Sequence, residues 1–120
     1  MSRVVHFEIT ADDPERAVTF YAQALGWKIE RFGDEKYWLI STGPADARGI
    51  DGAIMPREKP AENTVVTVGV GSLESTMEAV RKAGGRADGS IDMIPNIGRF
   101  TYATDTEGNR FGILEPLPGM

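Results

Sequence analysis

Arg3-Val4-Val5-His6-Phe7-Glu8-Ile9-Thr10, followed at once by Asp12-Asp13-Pro14-Glu15, is the stretch that decides the fold. The first eight residues alternate. Val5, Phe7 and Ile9 share one face of a strand, and His6, Glu8 and Thr10 share the other. Asp13 then supplies a helix cap, and Pro14 suits the first helical turn. Ala17, Phe20, Tyr21 and Ala24 make the expected buried stripe of that helix, and Gly26 ends it.

Working outward, residues 27–32 and 36–42 read as a hairpin around Gly33-Asp34. A loop at 43–49 leads to a strand at 50–55. Pro56 to Asn63 is polar with two prolines and reads as a linker. Residues 64–70 form the next strand. Ser72 caps a second helix with Leu73, Met77 and Val80 on one face, and Gly84-Gly85 closes it. Strands follow at 86–94, 99–104 and 109–115. The order is β-α-β-β-β, linker, β-α-β-β-β. An offset of 59 pairs Phe7 with Val66, Ile9 with Val68, Tyr21 with Val80 and Gly26 with Gly85. Gly52-Ala53-Ile54-Met55-Pro56 pairs with Gly112-Ile113-Leu114-Glu115-Pro116 at an offset of 60. The expectation is one α+β domain over 1–120. It is built as module 1 at about 1–57, a linker at about 56–63 and module 2 at about 64–117, with helices on one face of the strands.

Composition narrows the function. The chain has 120 residues, a net charge of −5, 41% hydrophobic and 26% charged residues. That balance excludes a disordered chain. The sequence pI of about 4.8 argues against a nucleic-acid partner, which demands a basic stripe. Cysteine is absent, so disulfides, thiolate zinc sites and a Cys nucleophile are excluded. The lone histidine, His6, excludes any one-chain site needing two imidazoles. No apolar run is long enough to span a membrane, and no signal peptide is evident, so the expected location is cytoplasmic.

Several motifs in order carry a resemblance: His6 on the first strand, Asp13-Pro14-Glu15-Arg16-Ala17 running to Phe20-Tyr21, Leu25-Gly26-Trp27, Ala83-Gly84-Gly85, and Asp105-Thr106-Glu107-Gly108-Asn109. The chain resembles the vicinal oxygen chelate (VOC) superfamily of glyoxalases, bleomycin-resistance proteins and extradiol dioxygenases. In the last motif Thr106 stands where the family has proline. The resemblance covers essentially the whole chain. It implies two paired βαβββ modules forming a curved, cup-shaped mixed sheet with helices on the outer face. In the family's metalloenzymes the cup holds a divalent ion, bound by residues of the first and last strand of each module. Here the implied positions are His6, Gly52, Val65 and Gly112. Only one of these has a coordinating side chain, so no metal and no cofactor is expected. A rebuilt site would need His6 with Glu8, Asp51 or Glu115. Strand alternation turns Asp51 and Glu115 away from the cup.

The candidate ligand-binding residues are His6, Glu8, Thr67, Trp38, Arg99, Phe100 and Tyr102. His6 and Glu8 offer orientation or proton transfer, and Thr67 shares the face of Val65. Trp38, Phe100 and Tyr102 offer flat stacking surfaces, although strand aromatics more often belong to the core. Arg99 lies beside a Pro95-Asn96-Ile97-Gly98 loop, with a plain surface cation as its alternative reading. No catalytic residue is assigned. With three of the four implied ligand positions empty of donors, the first reading is a metal-free protein; the resemblance implies that it binds a small molecule as a homodimer. Two alternatives stand beside it: an enzyme (a lyase, isomerase or dioxygenase) with an atypical site, and an interaction module with a vestigial pocket.

Overall fold

The Asp13 carboxylate accepts the Arg16 N–H at 3.2 Å and starts α1 (Pro14–Leu25) in the computed structural model, which describes residues 2–58 and 63–118. Gly26 ends α1 in the left-handed conformation at φ +71°, its N–H donating to the Ala22 carbonyl. Before α1 runs β1 (Arg3–Ala11). After it come β2 (Lys28–Arg31), β3 (Trp38–Ser41) and β4 (Gly52–Pro56). These strands lie in the order β2-β3-β4-β1. The β1–β4 pair is parallel and the others antiparallel.

The second set is β5 (Thr64–Gly69), α2 (Leu73–Lys82), β6 (Asp92–Ile94), β7 (Gly98–Thr104) and β8 (Arg110–Pro116). Its order is β5-β8-β7-β6, again with one parallel pair, β5–β8. Eight strands in mixed pairing and two helices, among the described residues, make an α+β fold. The chain divides into two compact units, His6–Val65 and a second that joins Met1–Val5 to Val66–Met120. Residues 59–62 of the expected linker lie outside the described residues. No helix among the described residues is long and apolar enough to cross a membrane.

Each unit has its own core between helix and strands. In the first, Ala11, Ile40 and Ile54 are buried, and Phe7, Ile9, Ala17, Val18, Tyr21, Trp27, Ile29 and Trp38 pack on them. In the second, Leu73, Met77, Ala103 and Ile113 lead, with Val68, Val80 and Phe111 against them. Burying side chains the size of Ile54 or Leu73 contributes roughly 1.5–3 kcal/mol each.

Two local expectations change. Phe20 and Ala24 are exposed, Phe20 by 59%, and Val18 takes a place on the inner stripe beside Ala17 and Tyr21. The Tyr21 ring stacks on Trp27 at 5.1 Å, and Trp27 meets Phe7 at 6.0 Å. That anchor turns the helix so that Val18 faces the sheet. The strand expected at 86–94 shrinks to β6 and an isolated bridge between Arg86 and Thr104. Asp88-Gly89-Ser90 interrupts it, and the Ser90 carbonyl accepts the Thr101 hydroxyl at 2.9 Å.

Candidate functional site

On the face of β1 opposite the helix, His6, Glu8 and Thr10 follow each other as strand alternation requires. Glu8 is only 6% exposed. Buried carboxylates need partners, and Glu8 has one in Tyr37, just before β3. The Tyr37 hydroxyl donates to Glu8 Oε2 at 2.8 Å, and its oxygen lies 3.0 Å from His6 Nε2. A phenol has a single proton. With that proton on the Glu8 bond, the Tyr37 oxygen is left as an acceptor toward His6. Burial holds the His6 pKa below its ordinary value of 6.5. The charges of Glu8 and Asp51 oppose that shift without cancelling it. The imidazole is therefore neutral at neutral pH.

Strand register corrects the expectation for Asp51. Phe7 pairs with Gly52, and a Cβ on Gly52 would run into the Phe7 carbonyl oxygen and ring. Gly52 thus belongs to the helix side with Phe7. Its neighbour Asp51 turns to the side of His6, where its charge is felt. Its carboxylate accepts from the Thr42 N–H at 2.9 Å. The same register revises the offset of 60. Glu8 sits opposite Ala53, and Thr67 sits opposite Gly112. The offset of 59 that relates Glu8 to Thr67 therefore relates Ala53, not Gly52, to Gly112.

A cleft of about 500 Å³ opens beside Tyr37, lined by Phe32, Glu35, Lys36, Tyr37, Met55, Pro56 and Glu58. Met55 pairs with Thr10 and Ala53 with Glu8, so Met55 shares the face of the His6–Tyr37–Glu8 chain. Tyr37 is the site residue missing from the sequence reading. The residue chosen there, Trp38, points the other way. It packs on the Ile54 core and lies under the Arg31 guanidinium at 5.2 Å.

The remaining candidates lie in the second unit. Phe100 and Tyr102 meet edge to face at 4.8 Å, and the Arg110 guanidinium sits 3.6 Å over the Tyr102 ring. Thr67 shares their face. It is 2% exposed, and its Oγ1 has no hydrogen-bond partner among the described residues. Arg99 alternates with Phe100 and lies on the helix side instead. It binds both oxygens of Glu74 at 2.6 Å and reaches Glu115 at 2.9 Å. Those bonds pull the Glu74 carboxyl down to about 2. Glu115 also accepts the Leu73 N–H at the head of α2, at 2.8 Å.

The donor set does not fit the metal cage that the resemblance implies. Of the implied positions only His6 has a ligating side chain, and Ala53 in place of Gly52 changes nothing. Above Gly112 the space that a longer side chain would use is taken by the Phe100 ring and Thr67 Oγ1. Among the described residues no three His, Asp or Glu side chains gather as a metal-ion cluster.

Comparison with known proteins agrees with the architecture. The family described as "Bleomycin resistance protein-like N-terminal" matches residues 3–43. A glyoxylase-like domain-containing protein of Didymella fabae is 32% identical over 112 residues, covering 88% of each chain. CFP32 of Mycobacterium bovis is 27% identical over 114 residues, and this chain spans only 43% of its length. Among solved structures, a glyoxalase/bleomycin resistance protein/dioxygenase superfamily member from Vibrio splendidus superposes with a TM-score of 0.69. The identity is 17%, over 98% of this chain and 100% of that one. Methylmalonyl-CoA epimerase from Mycobacterium tuberculosis gives 0.65 at 20% identity, over 96% and 88%. At those identities the two structures speak for the fold alone. With the Didymella relative matched along most of both chains, the chain belongs to the vicinal oxygen chelate superfamily, in its glyoxalase/bleomycin-resistance-like group.

Proposed function

We propose that this chain is a small-molecule-binding protein that works without a resident metal, as a cytoplasmic homodimer. The observation that carries the reading is the Glu8–Tyr37–His6 chain beside a cleft of about 500 Å³. Ligand pockets of roughly 300–1,000 Å³ combine apolar walls with a few placed polar groups. Here Phe32, Met55 and the Tyr37 ring supply the walls, and His6 supplies the orienting group. The buried carboxylate behind the phenol holds that group in place. A dimer encloses such an open face and covers exposed apolar residues such as Leu39.

A second reading, an acid–base enzyme, is favoured by the same chain of bonds. An imidazole kept neutral by burial, and oriented by a phenol and a carboxylate, is in the unprotonated form that a general base needs at neutral pH. Two measurements on protein purified without chelator or affinity tag test the proposal. Elemental analysis is expected to find no stoichiometric divalent metal. A thermal-shift screen of metabolites and aromatic cations is expected to find a stabilising ligand whose effect His6→Ala removes. A ligand at 100 times its Kd stabilises by about 2.7 kcal/mol. A near-equimolar metal that survives dialysis and is lost in His6→Ala overturns the metal-free reading. Catalytic turnover of the bound molecule establishes the second.

A further inference from the structure

We propose that Tyr37 is a positioning residue that fixes His6 as the Nε2–H tautomer, so that the site selects ligands presenting an N–H or O–H donor, such as a primary ammonium, over carboxylates. The geometry supplies each step. Tyr37 spends its only proton on Glu8 Oε2, so toward His6 it is an acceptor. The ring hydrogen is drawn to Nε2, and Nδ1 keeps its lone pair. Nδ1 has no hydrogen-bond partner among the described residues. Two carboxylates, Glu8 and Asp51, stand on the same face and repel an anion. The cleft beside Tyr37 is walled by Phe32, Tyr37 and Met55, which suit an apolar or aromatic body, and its charged lining of Glu35, Glu58 and Lys36 carries a net negative charge that also favours a cation. Tyr37 acts through His6. Replacing it with phenylalanine keeps the ring wall and removes the hydroxyl that bridges Glu8 and His6.

The ligand half of this inference rests on the small-molecule-binding reading, whereas the tautomer half is measured with no ligand at all. His6 is the only histidine, so the imidazole of a ¹⁵N-histidine-labelled sample reports one residue. At neutral pH the wild type is expected to show Nε2 protonated and Nδ1 bare. Tyr37→Phe is expected to shift the ring toward a mixture of tautomers, while Met55→Ala, which alters the cleft alone, leaves it unchanged. A proton on Nδ1 in the wild type overturns the proposal without need of any variant. So does a folded Tyr37→Phe protein with an unchanged tautomer.

Two probes of one shape, benzylammonium and benzoate, are then titrated against the same resonances. Benzylammonium is expected to move Nδ1 and benzoate to leave it in place, with the benzylammonium response weakened about tenfold or more in Tyr37→Phe. A response to benzoate alone, or to neither probe, overturns donor selection. An Nε2–H tautomer in a protein that binds nothing in the wider screen keeps the role of Tyr37 and refutes the binding reading instead.

Discussion

Gly112→Ala tests the packing that replaces a metal-ligand side chain. A Cβ at 112 would sit 2.7 and 2.8 Å from carbons of the Phe100 ring and 2.8 Å from Thr67 Oγ1. Contacts that short force movement, and all three atoms belong to side chains. The Phe100 ring is the part able to yield, and in yielding it leaves its edge contact with Tyr102. Overpacking costs about 1–3 kcal/mol, and an aromatic pair is worth about 0.5–1.5 kcal/mol. The less flexible unfolded chain returns about 0.4–1 kcal/mol. The net expectation is a loss of about 0.5–4 kcal/mol, centred on about 2 kcal/mol, measured by urea denaturation. At roughly 3–5 °C per kcal/mol for a chain of this size, the melting temperature falls visibly. Gly71→Ala, where a Cβ meets nothing within 4 Å, is the neutral control. Adding Phe100→Ala opens the space again. The double variant should therefore lose less than the two single losses summed, by about 1 kcal/mol. A neutral Gly112→Ala, or strict additivity in the double variant, refutes the reasoning.

Phe7→Ala, which removes a ring from the first core, should cost about 2–5 kcal/mol. His6→Ala, on the open face with one hydrogen bond lost, should cost about 1 kcal/mol; equal losses in paired melts would mean the faces of β1 are misassigned. The lowered His6 pKa means that the unfolded chain binds the extra proton first. Its contribution to stability is complete above pH 6.5 and is lost as pH falls from 6.5 toward the folded value. Denaturation midpoints of wild type and His6→Ala across that window should therefore converge as the solution is acidified. Sedimentation at micromolar concentration should give a dimer, and a sole species of 13.1 kDa would reject the homodimer.

The element order and the two helix starts were legible because their signals are local: Asp13 with Pro14, Ser72, and the alternation from Val5 to Ile9. Placing His6 and Glu8 together needed only that alternation. Tyr37 was not legible. It is the immediate neighbour of Trp38, and which of the two faces His6 depends on the register of a hairpin whose turn length the sequence leaves open. Asp51 failed for the same reason, since a single residue of offset turns every side chain of β4 over. The Pro95-Asn96-Ile97-Gly98 loop beside Arg99 pointed to a ligand contact, but the carboxylate partners of Arg99 lie on α2 and β8. Such a pairing across distant segments has no local signature.

In both halves of the order, β4 between β3 and β1 and β8 between β7 and β5, the strand made last in its set takes an interior place. Its parallel partner lies about 45 residues upstream, as in Phe7 with Gly52 and Thr67 with Gly112. Closing a loop of that length costs roughly 3 kcal/mol before the pairing returns anything. During synthesis a chain that ends short of Gly52 has β1 on one side of a gap and the β2–β3 hairpin on the other. Both present unpaired N–H and C=O groups, the kind of surface that recruits foreign strands. Aggregation risk therefore belongs to biogenesis, in the interval before β4 or β8 emerges. Slowing translation across either segment should prolong the demand for a chaperone more than slowing it across α1 or α2.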